Sequence, residues 1–170
     1  DPKVCIFGAG LGATGDLDGD GQTDVLIGSY FGVNDPHAYA AGIVRAYSGA
    51  TGNVLWAREG ADSSGGFGEA MMGIGDVDLD GEIDVAAPEA SRTFNGYPSS
   101  GMVHVFSQGS GHSLDCALES IAPAPFSYFG NSIAAADDLD LDAAPDLAIV
   151  TLGDLATNSR VERRSLSNSV

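Results

Sequence analysis

"FGAGLGATGDLDGDGQTDVLIGS", residues 7–29, changes character at its middle. Four aspartates, Asp16, Asp18, Asp20 and Asp24, stand there among glycines with no base between them, and an apolar run, "VLIGS", follows at once. Gly15, Gly19 and Gly21 would break a helix and the run is too short for one, so it reads as a strand entered from a tight turn. The charge in that turn needs its own explanation. Two carboxylates about 5 Å apart repel by roughly 0.8 kcal/mol in bulk water, and by about four times that at an effective dielectric near 20. Four of them in one closed loop call for a cation.

The pattern returns in "FGEAMMGIGDVDLDGEIDVAAPE", residues 67–89, and in "FGNSIAAADDLDLDAAPDLAIVT", residues 129–151, aligned without a gap and spaced 60 and then 62 residues apart. Further on, "GIVRAYSGATGNVLWARE" (42–59) and "GMVHVFSQGSGHSLDCALE" (101–119) read as strand pairs joined by glycine turns. Each unit then holds four short strands. A unit of this length and make-up is a propeller blade, which buries its faces only by stacking on neighbours. The sequence therefore predicts an all-β chain, a β-propeller fragment of four-stranded antiparallel blades with calcium-binding hairpin loops. Residues 1–6 are expected to be the last strand of a preceding blade, 7–66 and 67–128 two blades, and 129–170 an incomplete third. Propellers close with about four to eight blades. With fewer than three, and with Asp1 in place of an initiating Met, the chain is expected to be a piece of a longer one.

Composition sets limits on partners. With 24 acids against 7 bases the net charge is −17, which opposes binding to nucleic-acid phosphates or anionic lipid. No apolar stretch approaches the roughly 18 residues of a membrane span, and no leader opens the chain. Cys5 and Cys116 form neither a disulfide framework nor a CxxC pair and read as free thiols.

In a loop of the form D-x-D-x-D-G-x-x-D, alternate positions 1, 3 and 5 can turn their oxygens inward, a glycine at 6 permits the bend, and a backbone carbonyl at 7 completes the ring. The candidate ligands are Asp16, Asp18, Asp20, Gln22 and Asp24 in the first loop. In the second they are Asp76, Asp78, Asp80, Glu82 and Asp84, and in the third Asp138, Asp140, Asp142, Ala144 and Asp146. An oxygen-only, flexible, multiply charged set suits Ca2+ better than zinc or magnesium. The third loop has Ala143 at the glycine position and Pro145 beside Asp146, so it is expected to bind more weakly. A helix-flanked calcium hand would need an acid at position 12, where Ile27, Ala87 and Ile149 stand. The ninth-position aspartate must close the cage instead.

The Phe-Gly pair, the acidic loop, the strand after it and the later "GIVRAYSG" together resemble the FG-GAP repeats of integrin alpha-chain propellers and their bacterial relatives. The resemblance implies a seven-bladed propeller with calcium in the turn between a blade's first two strands. The third element of the repeat name reads "IGSY", "APEA" and "VTLG", close only in the second copy. Neither a cell-attachment tripeptide nor an inserted adhesion domain is present, so integrin function does not come over with the resemblance.

Other signals yield to this reading. "KVCIFGAGLGATG" imitates a dinucleotide fingerprint, but "GDLDGDG" follows where a helix is needed, and its charge repels phosphate. Thr51, Gly52 and Trp56 resemble the tryptophan-docking repeat of quinoprotein propellers, and with a single Trp in the chain the residue reads as packing between blades. Phe7, Phe67 and Phe129 read as core between blades. His37, His104 and His112 form no metal or catalytic motif, and Arg160, Arg163 and Arg164 read as a solvated face. The variable segments "YFGVNDPHAYAA" and "EASRTFNGYPSSG" are where recognition of a protein or glycan ligand on a propeller rim is expected, with Tyr30, Phe31, Tyr39, Phe94 and Tyr97 as candidates. External calcium modules bind at roughly 0.1–1 mM, which predicts an extracellular or cell-surface location. The alternatives are the propeller part of a secreted polysaccharide lyase, with catalytic residues in other blades, and a structural spacer.

Overall fold

A computed structural model describes residues 7–29, 41–60, 66–107, 115–136, 138–152 and 160–165. The first sheet holds β1 (Phe7–Ala13), β2 (Val25–Ser29), β3 (Ile43–Tyr47) and β4 (Val54–Glu59) in that spatial order. The second repeats it with β5 (Met72–Gly75), β6 (Asp84–Glu89), β7 (Met102–Phe106) and β8 (Asp115–Leu118). The third holds β9 (Ser132–Ala136), β10 (Asp146–Thr151) and β11 (Arg160–Ser165), with β10 in the middle. The named strands all pair antiparallel, and no helix occurs among the described residues. Register repeats with the sequence: Val25 faces Tyr47, Val85 faces Phe106 and Leu147 faces Arg164.

The sheets stack face to face, and period-2 alternation sends each strand's side chains to two different neighbours. Val85 and Ala87 of β6 meet Leu26, Val44 and Ala46 of the first sheet, together with Phe67, Met71 and Phe106. Ala86, between them, joins Val103, Val105, Phe129, Leu147 and Ile149 on the other side. Every residue of β6 is buried in consequence. Trp56 meets Phe106 edge to face at 5.4 Å, which makes it packing between sheets, as its place in the sequence suggested.

Close approach explains a glycine that recurs at the start of β3 and β7. A Cβ on Gly42 would collide with the carbonyl oxygen of Phe67, and one on Gly101 with that of Phe129. Each blade's third strand thus lies against the next blade's Phe-Gly pair.

One buried charge belongs to this packing. Glu89 is fully buried at the end of β6, where Oε2 accepts from Arg92 Nη1 at 2.6 Å and lies 3.0 Å from His104 Nε2. Burial alone would raise its pKa, but the bonds to His104 and Arg92 outweigh that and hold it below its ordinary 4.5. His104, read from sequence as a strand-face histidine, therefore has a defined partner, and its ring also meets Phe67 edge to face. Cys116 is half-buried on β8; Cys5 lies outside the described residues. No helix among the described residues is long and apolar enough to cross a membrane.

Candidate metal centre

The three acidic loops are the turns β1–β2, β5–β6 and β9–β10, all at one end of the sheets. Each is built by its own side chains. Asp16 Oδ1 accepts from the amides of Gly19 (2.8 Å) and Asp20 (3.0 Å), while Oδ2 accepts from Gly21 (2.7 Å). Asp76 does the same with Asp80 and Gly81, and Asp138 with Asp142 and Ala143. The ninth-position aspartate reaches back across the turn: Asp24, Asp84 and Asp146 accept from Leu17, Val77 and Leu139 at 2.7–2.8 Å. These bonds span at most seven residues, so the loop's shape is local information.

Backbone conformation repeats as closely. Positions 4 and 6 are left-handed in every loop: φ is 76° and 87° at Gly19 and Gly21, 62° and 93° at Leu79 and Gly81, and 65° and 77° at Leu141 and Ala143. A non-glycine residue there costs about 1–2 kcal/mol. Ala143 therefore does not distort the third loop; it strains it. Pro145 has a use as well. It sits where Ile83 sits in the second loop, and each packs on the preceding blade's turn, so that a Cβ on Gly75 or Gly15 would clash with it.

Folding brings together positions 1, 3 and 9. Asp16, Asp18 and Asp24 each offer an oxygen within 4.8 Å of the others, as do Asp76, Asp78 and Asp84, and Asp138, Asp140 and Asp146. The ninth-position carboxylates are buried and the other two stand nearer the surface. Position 5 lies outside each trio. Asp20, Asp80 and Asp142 each accept from the position-7 amide of Gln22, Glu82 or Ala144, at 2.8, 2.9 and 3.1 Å. A second oxygen of Asp20 and of Asp80 faces a serine hydroxyl of the later hairpin, Ser48 at 3.5 Å and Ser107 at 3.2 Å. Sequence reasoning missed those serines, whose only local sign is that each follows its third strand directly.

The second loop tests the fit to a cation. Burial, opposed by the Val77 amide and reinforced by the charges of Asp78 and Asp80, pushes the Asp84 carboxyl up to about 6. The Ser107 hydroxyl lies near enough to ease this, but it donates to Asp80, and Asp84 Oδ1 is buried without a hydrogen-bond donor. A buried, donorless carboxylate oxygen facing two further carboxylates fits a hard divalent cation, which would relieve both the repulsion and the missing bond. The trios are candidate divalent-cation sites with oxygen donors only.

The opposite rim carries one of the expected recognition segments, residues 89–101. Tyr30, Phe31 and Tyr39 lie outside the described residues. Phe94 and Tyr97 bracket a two-residue Asn95–Gly96 turn with both φ positive, and they exchange backbone bonds at 3.2 and 2.9 Å. Tyr97 is exposed, as is Phe126, whose amide donates to Pro98 O at 2.7 Å. Phe126 was not singled out in the sequence.

Serially stacked, four-stranded antiparallel sheets with an acidic first turn define a class, the β-propeller blade with a cation-type loop. The FG-GAP repeat family model matches residues 7–49. The chain belongs to the FG-GAP repeat family. It is 32% identical to human integrin alpha-6 over 147 residues, covering 84% of this chain and 12% of that protein. It is 32% identical to integrin alpha-PS2 of Drosophila melanogaster over 161 residues, 84% of this chain and 11% of that one. With mouse integrin alpha-M the identity is 32% over 163 residues, 88% and 13%. The chain thus spans between a tenth and a seventh of the length of these relatives.

Proposed function

We propose that the chain is a section of a calcium-binding β-propeller, displayed outside the cell or on its surface, that binds a protein or glycan ligand through the rim opposite its acidic loops. The observation that carries this reading is the threefold convergence of three carboxylates around a buried ninth-position aspartate. The carboxylates at positions 1, 3 and 9 would hold calcium in each loop, and the position-5 carboxylate and the carbonyls of Gln22, Glu82 and Ala144 would offer it further oxygens. It supplies charge neutralisation and a fixed centre, and the chain's residues do the rest. Ile83 and Pro145 wedge each turn against the preceding blade, so a stiffened turn holds two blades together. Phe94, Tyr97 and Phe126 are then presented on a rigid frame, where aromatic rings offer contact area at little entropic cost.

The units 7–66, 67–128 and 129–170 serve as blades, with 1–6 the end of another. Support for further blades comes from the outer face of the first sheet. Phe7, Leu11 and Val25 are 58%, 72% and 40% exposed, whereas their counterparts Phe67, Met71 and Val85 are 3%, 5% and 0% exposed under the first sheet. An outer face of this kind fits a preceding blade of the parent chain. Similarity to integrin alpha chains favours adhesion as the role.

Calorimetric titration of the chain with calcium tests the central part. Saturable uptake at two or three sites with dissociation constants of roughly 0.1–1 mM is expected. Absence of uptake at millimolar calcium would refute it.

A further inference from the structure

We infer that Ser48 and Ser107 are positioning residues for the first and second cation loops, coupling each loop to the hairpin that closes its blade. The inference rests on the calcium reading above and adds to it a pair of residues outside the acidic motif.

Ser48 lies 28 positions from Asp20 and is buried at the root of the β3–β4 hairpin. Its amide donates to Asn53 O (2.9 Å), its carbonyl accepts from Gly52 N (2.8 Å), and its hydroxyl accepts from Thr51 N (3.2 Å). The hydroxyl proton goes to Asp20 Oδ2 at 3.5 Å. The next residue adds a second link, since Gly49 N donates to Asp24 Oδ1 at 2.9 Å. Two carboxylates of one loop, at positions 5 and 9, are therefore held from the same hairpin. In the second blade, buried Ser107 donates to Asp80 Oδ2 at 3.2 Å. Strand register puts Ser165 opposite Asp146 in the third, so the serine recurs at the same place in every unit.

The sign of the effect follows from charge. With Gln22 N on one oxygen and the Ser48 hydroxyl toward the other, Asp20 is kept beside the trio Asp16, Asp18 and Asp24. Like charges held together raise the free energy of the empty loop, and a cation removes that cost. Without the hydroxyl, Asp20 can turn to solvent when the loop is empty, which stabilises the empty state and weakens binding. The hairpin also loses one of its two ties to the loop.

The test is a calcium titration of the 15N-labelled chain, following the amides of Gly21 and Gly81, each of which donates to the first aspartate of its own loop. Ser48→Ala should weaken the site seen at Gly21 by about tenfold, in line with other partners of metal ligands, and leave that seen at Gly81 within about twofold. Ser107→Ala should do the reverse, and Ser48→Thr, which keeps the hydroxyl, should restore wild-type affinity. A role in folding alone would lower the melting temperature and shift both loops equally. Equal shifts, or unchanged affinity in both alanine variants, would overturn the inference while leaving calcium binding intact. If the wild-type amides ignore calcium, the cation reading fails and takes the inference with it.

Discussion

Asp84 is the residue at which the proposed function makes opposite demands with and without metal. Above pH 7 and in chelator its carboxylate is ionised, buried and beside two other acids, with its pKa pushed to about 6. A displacement of that size from an ordinary value near 3.8 is equivalent to at most about 3 kcal/mol against the folded state. Asp84→Asn removes the charge and keeps an oxygen to accept from Val77 N, so in chelator the variant should be more stable than wild type by about 1–3 kcal/mol. Calcium acts in the opposite direction, because it rewards the charge that the variant lacks. At about 5 mM calcium and a dissociation constant near 0.5 mM, one site contributes about 1.4 kcal/mol, which the variant forgoes. For a chain of this size that is a calcium-induced rise in melting temperature smaller by about 3–6 °C. Scanning calorimetry at pH 8, with chelator, magnesium and calcium in turn, measures both quantities. A variant that is less stable in chelator, or that gains as much from calcium as wild type, would refute the assignment of Asp84 as the buried ligand.

Three further outcomes are expected. Phe67→Ala should cost about 3–5 kcal/mol in urea unfolding, because its ring is sealed between two sheets, whereas Phe7→Ala, at the same place in an uncovered blade, should cost less than about 1 kcal/mol. Ala143→Gly should stabilise the chain by about 1 kcal/mol by relieving a left-handed alanine, and should tighten calcium binding at the third loop in the same labelled titration. Glu89 has its folded pKa depressed, so the stability it contributes is present above about 4.5 and is lost as pH falls through the lower folded value. Arg92→Ala should raise the pH midpoint of acid unfolding, followed by circular dichroism; an unchanged midpoint would mean that the pair adds nothing.

The sequence by itself determined the repeat, the strands and the turn. Those features are encoded within single short stretches: a glycine or its strained substitute where φ must be positive, an aspartate whose amide partners lie within seven residues, and alternation that makes each strand two-faced. The convergence of the carboxylates at positions 1, 3 and 9 was legible for the same reason. The partner of position 5 was not, because the serine that donates to Asp20 or Asp80 enters from another hairpin. Tertiary structure also decided burial. Phe7 and Phe67 occupy equivalent places in the repeat, yet one is open and the other sealed, since exposure depends on whether a sheet lies in front and not on the residue itself. Glu89 makes the same point: nothing local to "APEA" announces a carboxylate bonded to His104 as well as to Arg92, because the histidine arrives only when β7 pairs with β6.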